Sequence, residues 1–166
     1  MSLTQDDRPF LDLCEAVKLE SHDPHRQVGS IIVSKSGEVL ATGSNAPPKA
    51  LHIDVRESHS LISDDPNWKY YMLEHAERNA IKNARESGHN IDGATMYGTL
   101  FPCADCARAI VAAGIKRLVV PPPHSNPARD QKWATQYQYA EKIFALARTQ
   151  VDLVYVERAA QEKKHS

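Results

Sequence analysis

The sequence predicts a three-layer α/β/α sandwich built on one five-stranded mixed sheet. Three observations lead there. Two β-rich runs around a Gly-containing turn open the regular part of the chain. After them, short apolar runs alternate with stretches of helical period, the pattern of parallel crossovers with helices on both faces of a sheet. Finally, 166 residues, 42% hydrophobic and 25% charged, supply one hydrophobic core and one domain, with a frayed tail from about residue 158.

The elements follow in order. Phe10, Leu13, Cys14 and Val17 share one face at helical spacing. Cys14 reads there as a small buried apolar residue. VGSIIVS (28–34), the turn Lys35-Ser36-Gly37 and EVLATGS (38–44) form a hairpin pattern. Residues 45–72, with Pro47, Pro48 and Pro66 among Asp, Ser and His, read as a long loop, a length that is uncommon unless it serves function.

A helix is expected from about Leu73 to Ser87, closed by Gly88, and then a strand in ATMYGTL (94–100). A second helix follows Pro102, which suits a first-turn position, and ends near Gly114. RLVVP (117–121) reads as a short apolar strand and 122–129 as a Pro-rich loop. A longer helix over about 131–148 places Trp133, Tyr137, Ala140 and Phe144 on one stripe, read as core. VDLVYVE (151–157) is the last strand expected.

Bulk properties narrow the function. The formal net charge is −1, which leaves no strong footprint for nucleic acid in the total. No apolar run approaches the roughly 18 residues that a membrane helix needs. The start MSLTQDDRPF carries acidic residues where a signal peptide would carry basic ones. Three cysteines, two of them at C-x-x-C spacing, make no secreted disulfide framework. The expected compartment is the cytoplasm, with no membrane partner.

The chemistry concentrates in His75-Ala76-Glu77 and Pro102-Cys103-Ala104-Asp105-Cys106. One His and two Cys supply three ligands for Zn2+, and three protein ligands leave a fourth position for water, as catalytic sites do. Both thiols start a helix, where the dipole and the N–H groups favour thiolate. Glu77 sits too far round the helix from His75 to ligate comfortably, yet near enough to exchange protons with water at the metal. The pair H-x-E and P-C-x-x-C is the zinc deaminase signature. A structural zinc knot would normally offer a fourth Cys or His at close spacing; His52 and His59 lie in the loop without a matching motif.

At these residues the chain resembles the cytidine deaminase-like superfamily, and more closely its deoxycytidylate (dCMP) deaminase branch. The likeness runs through DPHRQVGSIIV (23–33), the segment Gly43-Ser44-Asn45-Ala46-Pro47-Pro48, HAERNAI (75–81) and TLFPCADCARAIVAAGIKRLV (99–119). Trp133, followed by a long helix and a final strand, is similar to bacterial members. The resemblance implies a cytidine deaminase-like fold, a homo-oligomer, a sugar or phosphate contact from Asn45, and a backbone contact from Ala76 to the amine side of the base. It also implies a base pocket lined by Thr99, Phe101 and Pro102. Read without the family, Asn45 serves equally as a turn residue.

Two departures face the sugar and phosphate in that comparison: Ala46 with Lys49-Ala50-Leu51, and Pro121-Pro122-Pro123-His124-Ser125. They leave the phosphate preference open, with Arg26, Lys49, Arg56 and Arg129 as candidate partners and exposed surface charge as the alternative for each. The Gly-rich segments of triphosphate-regulated members are not evident in this sequence. The leading expectation is hydrolytic deamination of a small cytosine nucleotide, dCMP to dUMP plus ammonia. A free base, nucleoside or other aminated heterocycle is the alternative substrate. A silent zinc-binding module and a tRNA-editing enzyme are the remaining alternatives; Glu77 speaks against the first and the near-neutral charge against the second.

Overall fold

The computed structural model describes residues 5–123 and 131–155. Its sheet grows from a hairpin. Strand β1 (Gly29–Val33) pairs antiparallel with β2 (Val39–Ser44), and Gly37, at φ 90°, makes the turn. Ile32 faces Ala41 but Val33 faces Val39, so β2 carries an extra residue there, an irregularity of the bulge kind. β1 also pairs antiparallel with β3 (Thr95–Gly98). β4 (Arg117–Val120) and β5 (Gln150–Leu153) then add in parallel, giving the order β2-β1-β3-β4-β5.

Side chains alternate between two cores because successive strand residues point to opposite faces. Ile31, Val33, Tyr97 and Val119 meet helix α1 (Arg8–Val17) through Cys14 and Val17. On the other face lie Ile32, Met96, Leu118 and Val120. They meet α4 (Ala76–Glu86), α5 (Ala104–Ala112) and α6 (Ala134–Ala147) through Ala80, Ile110 and Phe144. Three layers result, as the sequence predicts, and β1, apolar towards both helical layers, is buried throughout.

Two glycines let the helices close on the sheet. A Cβ at Gly29 would stand 2.4 Å from the carbonyl oxygen of Cys14 in α1. One at Gly43 would stand 2.4 Å from the carbonyl oxygen of Ala76 and 2.5 Å from the amide nitrogen of Ala80, both in α4. Asn79 and Asn83 complete the α4 contact by donating side-chain N–H groups to the carbonyls of Ser44 (2.9 Å) and Thr42 (2.8 Å).

Several expectations need correction. The stretch 45–72 is not one long loop. It holds a 3-10 turn at Lys49–Leu51, helix α2 (Val55–Asp64) and helix α3 (Trp68–Met72). Its polar composition hides the period, but Asp54 caps α2 by accepting from the amide of Glu57 at 2.7 Å, and Asp-x-x-Glu is a capping signature. α4 begins at Ala76 with His75 as its N-cap, and α5 at Ala104 with Cys103 as its N-cap, so Pro102 precedes the cap rather than occupying the first turn. α6 starts three residues late, behind a 3-10 turn at Gln131–Trp133, and ends where Arg148 takes φ 57°.

The strand at 117 opens with an ionic residue. Arg117 donates to both carboxylate oxygens of the buried Asp7 (2.7 and 2.9 Å) and to Asp152 (2.7 Å). The tail from residue 158, residues 156–157 and the loop from 124 to 129 lie outside the described residues. Among the described residues no helix is long and apolar enough to cross a membrane.

Candidate active site

The C-terminal end of β3 delivers the site. Past Gly98 the chain runs through Thr99-Leu100-Phe101-Pro102 to Cys103, whose sulfur accepts from the amide of Cys106 at 3.5 Å. Across from it, α4 starts at His75. Arg78 of α4 pairs with Asp105 of α5, which links the two helix starts.

His75 Nδ1 lies 3.6 Å from Cys103 Sγ and 3.3 Å from Cys106 Sγ. These separations match a tetrahedral zinc site: with Zn–S of about 2.3 Å and Zn–N of about 2.05 Å, the N···S edge is about 3.6 Å. All three ligand atoms lie within 4.8 Å of one another, and no further His, Cys, Asp or Glu joins them among the described residues. The donor set therefore fits zinc with one position open. His52 and His59 contribute no ligand.

The three ligand side chains are coupled to one another. A hydrogen bond with Cys103 leads the effects that raise the His75 imidazole to about 9. Cys103 is lowered to about 4, first by a hydrogen bond from the Cys106 side chain and then, against burial, by one from His75. Cys106 is pushed up by its bond to Cys103 and by burial. Burial also pushes the Glu77 carboxyl up, opposed by the charge of His75. Glu77 is 5% exposed and lines the same cleft as His75 and Cys103 without joining the ligand set.

The cleft has a volume of about 840 Å3, within the range of small-molecule sites. Asn45, Ala76, Thr99, Phe101 and Pro102 all line it. Phe101 is held edge-on against Tyr137 and Phe144 at 5.7 and 6.3 Å between ring centroids. Thr99 Oγ1 accepts from the amide of Gly29 at 3.1 Å. The Asn45 side chain already has work: its Oδ1 accepts from Ser21 Oγ and from the amide of Val28 (3.0 Å), and its Nδ2 donates to the carbonyl of Arg26 (2.9 Å).

Of the candidate phosphate partners, Arg26 lines the cleft, whereas Lys49 bonds Asn83 outside it and Arg56 sits exposed on α2. Arg129 lies outside the described residues. The core stripe holds for Tyr137, Ala140 and Phe144, but Trp133 stands half-buried in the cleft wall. Lys69, Tyr70 and Lys132 also line the cleft and carry no motif. Only the unusual density of aromatic and basic residues at 68–71 and 132–133 could have marked them.

Fold and site together define an α/β/α protein with a His–Cys–Cys set that fits a metal ion, at the carboxyl edge of its sheet. The chain belongs to the cytidine and deoxycytidylate deaminase zinc-binding family, whose model matches residues 4–121. Zinc is accordingly its cofactor. It is 36% identical to human deoxycytidylate deaminase over 99 residues, which are 60% of this chain and 54% of that protein, so the match spans about half the length of the human relative. An uncharacterized deaminase of Aliivibrio fischeri is 30% identical over 142 residues, covering 86% of this chain and 88% of the relative. The dCMP deaminase of cyanophage S-TIM5, solved with dCMP and dUMP, has the same fold at 21% identity. Its TM-score is 0.70, over 93% of this chain and 100% of that one.

Proposed function

We propose that the protein hydrolyses the 4-amino group from a cytosine nucleotide, foremost dCMP, giving dUMP and ammonia. One observation carries this reading: the buried carboxyl of Glu77 shares a cleft with a three-ligand centre that has an open side. Zinc held by His75, Cys103 and Cys106 supplies a Lewis acid that makes water a nucleophile near neutral pH. Glu77 takes a proton from the attacking water and gives it to the ring nitrogen N3; it then takes the second proton from the hydroxyl added at C4 and gives it to the departing amine. Its burial, which raises its proton affinity, suits a group that must both accept and return a proton.

Phe101, Pro102 and the Ala76 backbone form the base pocket in this reading. Thr99 and Asn45 face the sugar. The three hydrogen bonds that fix the Asn45 amide leave one Nδ2 hydrogen for a ligand and hold it in place. The names of the human and cyanophage relatives support the deoxycytidylate. We extend the reading to a single domain, since the five strands form one sheet. A cytoplasmic homo-oligomer completes it, supported by three free cysteines and by Tyr139 and Leu146, exposed on α6.

The test is ammonia release by zinc-loaded protein from dCMP, deoxycytidine and cytosine. The expected order is dCMP first, by at least about 100-fold in kcat/KM, the size of effect that charge-assisted phosphate contacts supply. Equal turnover of the three would move the substrate to a base or nucleoside, and no turnover at all would leave a silent zinc module.

A further inference from the structure

The two thiols of the metal set are anchored from a third helix. α5 starts at Ala104, between its two cysteines, and the first N–H groups of a helix find no partner inside it. Cys103, the N-cap, satisfies one of them, since its sulfur accepts from the amide of Cys106 at 3.5 Å. The amide of Ala104, the first donor after Cys103, goes to Gln136 Oε1 at 3.1 Å. Ala104 is buried, and a buried N–H needs a partner.

That amide belongs to the planar peptide unit that also carries the Cys103 carbonyl. The carbonyl accepts from the amide of Ala107 at 2.9 Å. Both sides of the plane are therefore held, one by α5 itself and the other by Gln136, with the Cys103 ψ at 172°. This plane sets the direction from which the Cys103 sulfur leaves the chain. Gln136 reaches it from the first turn of α6, where the backbone of an exposed residue lends its amide to the start of α5. The next residue, Tyr137, is buried and meets Phe101 edge-on at 5.7 Å between ring centroids. One turn of α6 thus touches both the peptide behind the thiols and the ring that lines the cleft.

We propose that Gln136 is a positioning residue of the metal centre, holding the Cys103–Ala104 peptide so that Cys103 and Cys106 meet the ion in register with His75. This rests on the reading of those three side chains as the zinc ligands of a deaminase. Zinc tolerates displacements of only about 0.2 Å in its ligand distances, so a loosened peptide plane costs affinity and distorts the geometry. Gln136 belongs to no motif, and only the packing of α6 brings it to α5.

The test sets wild-type protein beside Gln136→Leu, Gln136→Glu and Gln138→Leu. Zinc affinity is measured by competition with a chelator, and Co2+ in place of zinc reports ligand geometry through its visible absorption. Gln136→Leu removes the acceptor and should bind zinc about 10-fold more weakly, the lower end for loss of a group that orients a metal ligand, with an altered cobalt spectrum. Gln136→Glu keeps an acceptor oxygen and should recover most of both. Gln138→Leu, the same change two residues along the helix, should match the wild type. Wild-type zinc affinity or a wild-type cobalt spectrum in Gln136→Leu overturns the assignment. A loss that Gln138→Leu shares, or that Gln136→Glu does not recover, overturns it too. Hydrogen exchange on the zinc-loaded wild type tests the bond without any variant: the Ala104 amide should exchange slowly, and exchange as fast as in an unpartnered first turn overturns the assignment. Where dCMP is turned over, Gln136→Leu should lower kcat about 10-fold and leave KM near its wild-type value. A raised KM at unchanged kcat would put Gln136 in substrate binding and overturn its role at the metal. If no cytosine compound is turned over, the deaminase reading fails instead, and the metal measurements with the amide exchange decide alone.

Discussion

Cys14 and Cys103 carry the same thiol in opposite surroundings. Burial between α1 and the sheet pushes Cys14 up to about 12, partly offset by a backbone hydrogen bond from Ile31. Cys103, bonded by Cys106 and His75, sits near 4. Both behaviours are readable from the sequence, because one follows from apolar helical spacing and the other from C-x-x-C behind a proline. The roles of Asn45 and Trp133 were less legible. Their partners, Ser21 and Arg26, lie far along the chain, and side-chain pairing at that distance leaves no periodic trace. Cys14 makes a linkage prediction. Above about pH 9 the unfolded chain ionises this thiol while the folded chain keeps its proton, so the unfolded state binds fewer protons and stability falls as pH rises. The contribution is at most about 1.4 kcal/mol per pH unit. Denaturant unfolding at pH 8, 9 and 10 should show a steeper fall for wild type than for Cys14→Ala; parallel curves would contradict the burial account.

Helix starts and one bare stretch of strand position the candidate site. His75 and Cys103 are N-caps of α4 and α5, so each projects from the first residue before a helix rather than from within it. α4 can lie where it does because Gly43 has no side chain. In Gly43→Ala the new Cβ would meet backbone atoms of Ala76 and Ala80, which cannot yield without moving the helix that carries His75 and Glu77. The expected cost is about 1–3 kcal/mol, typical of overpacking, together with a lower affinity for zinc. Thermal unfolding and a zinc titration measure the two, and wild-type values in both would show that α4 does not depend on this approach. The sequence made α4, α5 and α6 legible through apolar period and closing glycines. It concealed α2 and α3, whose few buried positions, Ser58 and Ile62 among them, are too sparse to make a stripe.

Across the whole molecule the two ends of the parallel strands have different tasks. At the amino end Arg117 joins β4 to Asp152 of β5 and to Asp7 ahead of α1, with Tyr97 donating to Asp7 at 2.6 Å. This ionic junction lies on the α1 face of the sheet and ties the start of α1 to β3, β4 and β5. At the carboxyl end, where open α/β sheets place their ligands, the strand edge gives way to the cleft. The alternation of runs was enough to predict three layers and a mixed sheet. The bridge through Arg117 was not readable, since an arginine heading an apolar run shows neither its partners nor its burial.

The proposed reaction depends on a division of labour in which three side chains hold the metal and a fourth moves protons. The most direct measurement is zinc content and dCMP turnover in Glu77→Gln beside Cys103→Ala. Glu77→Gln should keep one zinc per chain and lose turnover by about 100-fold or more, the usual worth of a positioned acid–base group, while Cys103→Ala should lose both. Undiminished turnover in the glutamine variant, or full zinc occupancy without Cys103, would contradict it.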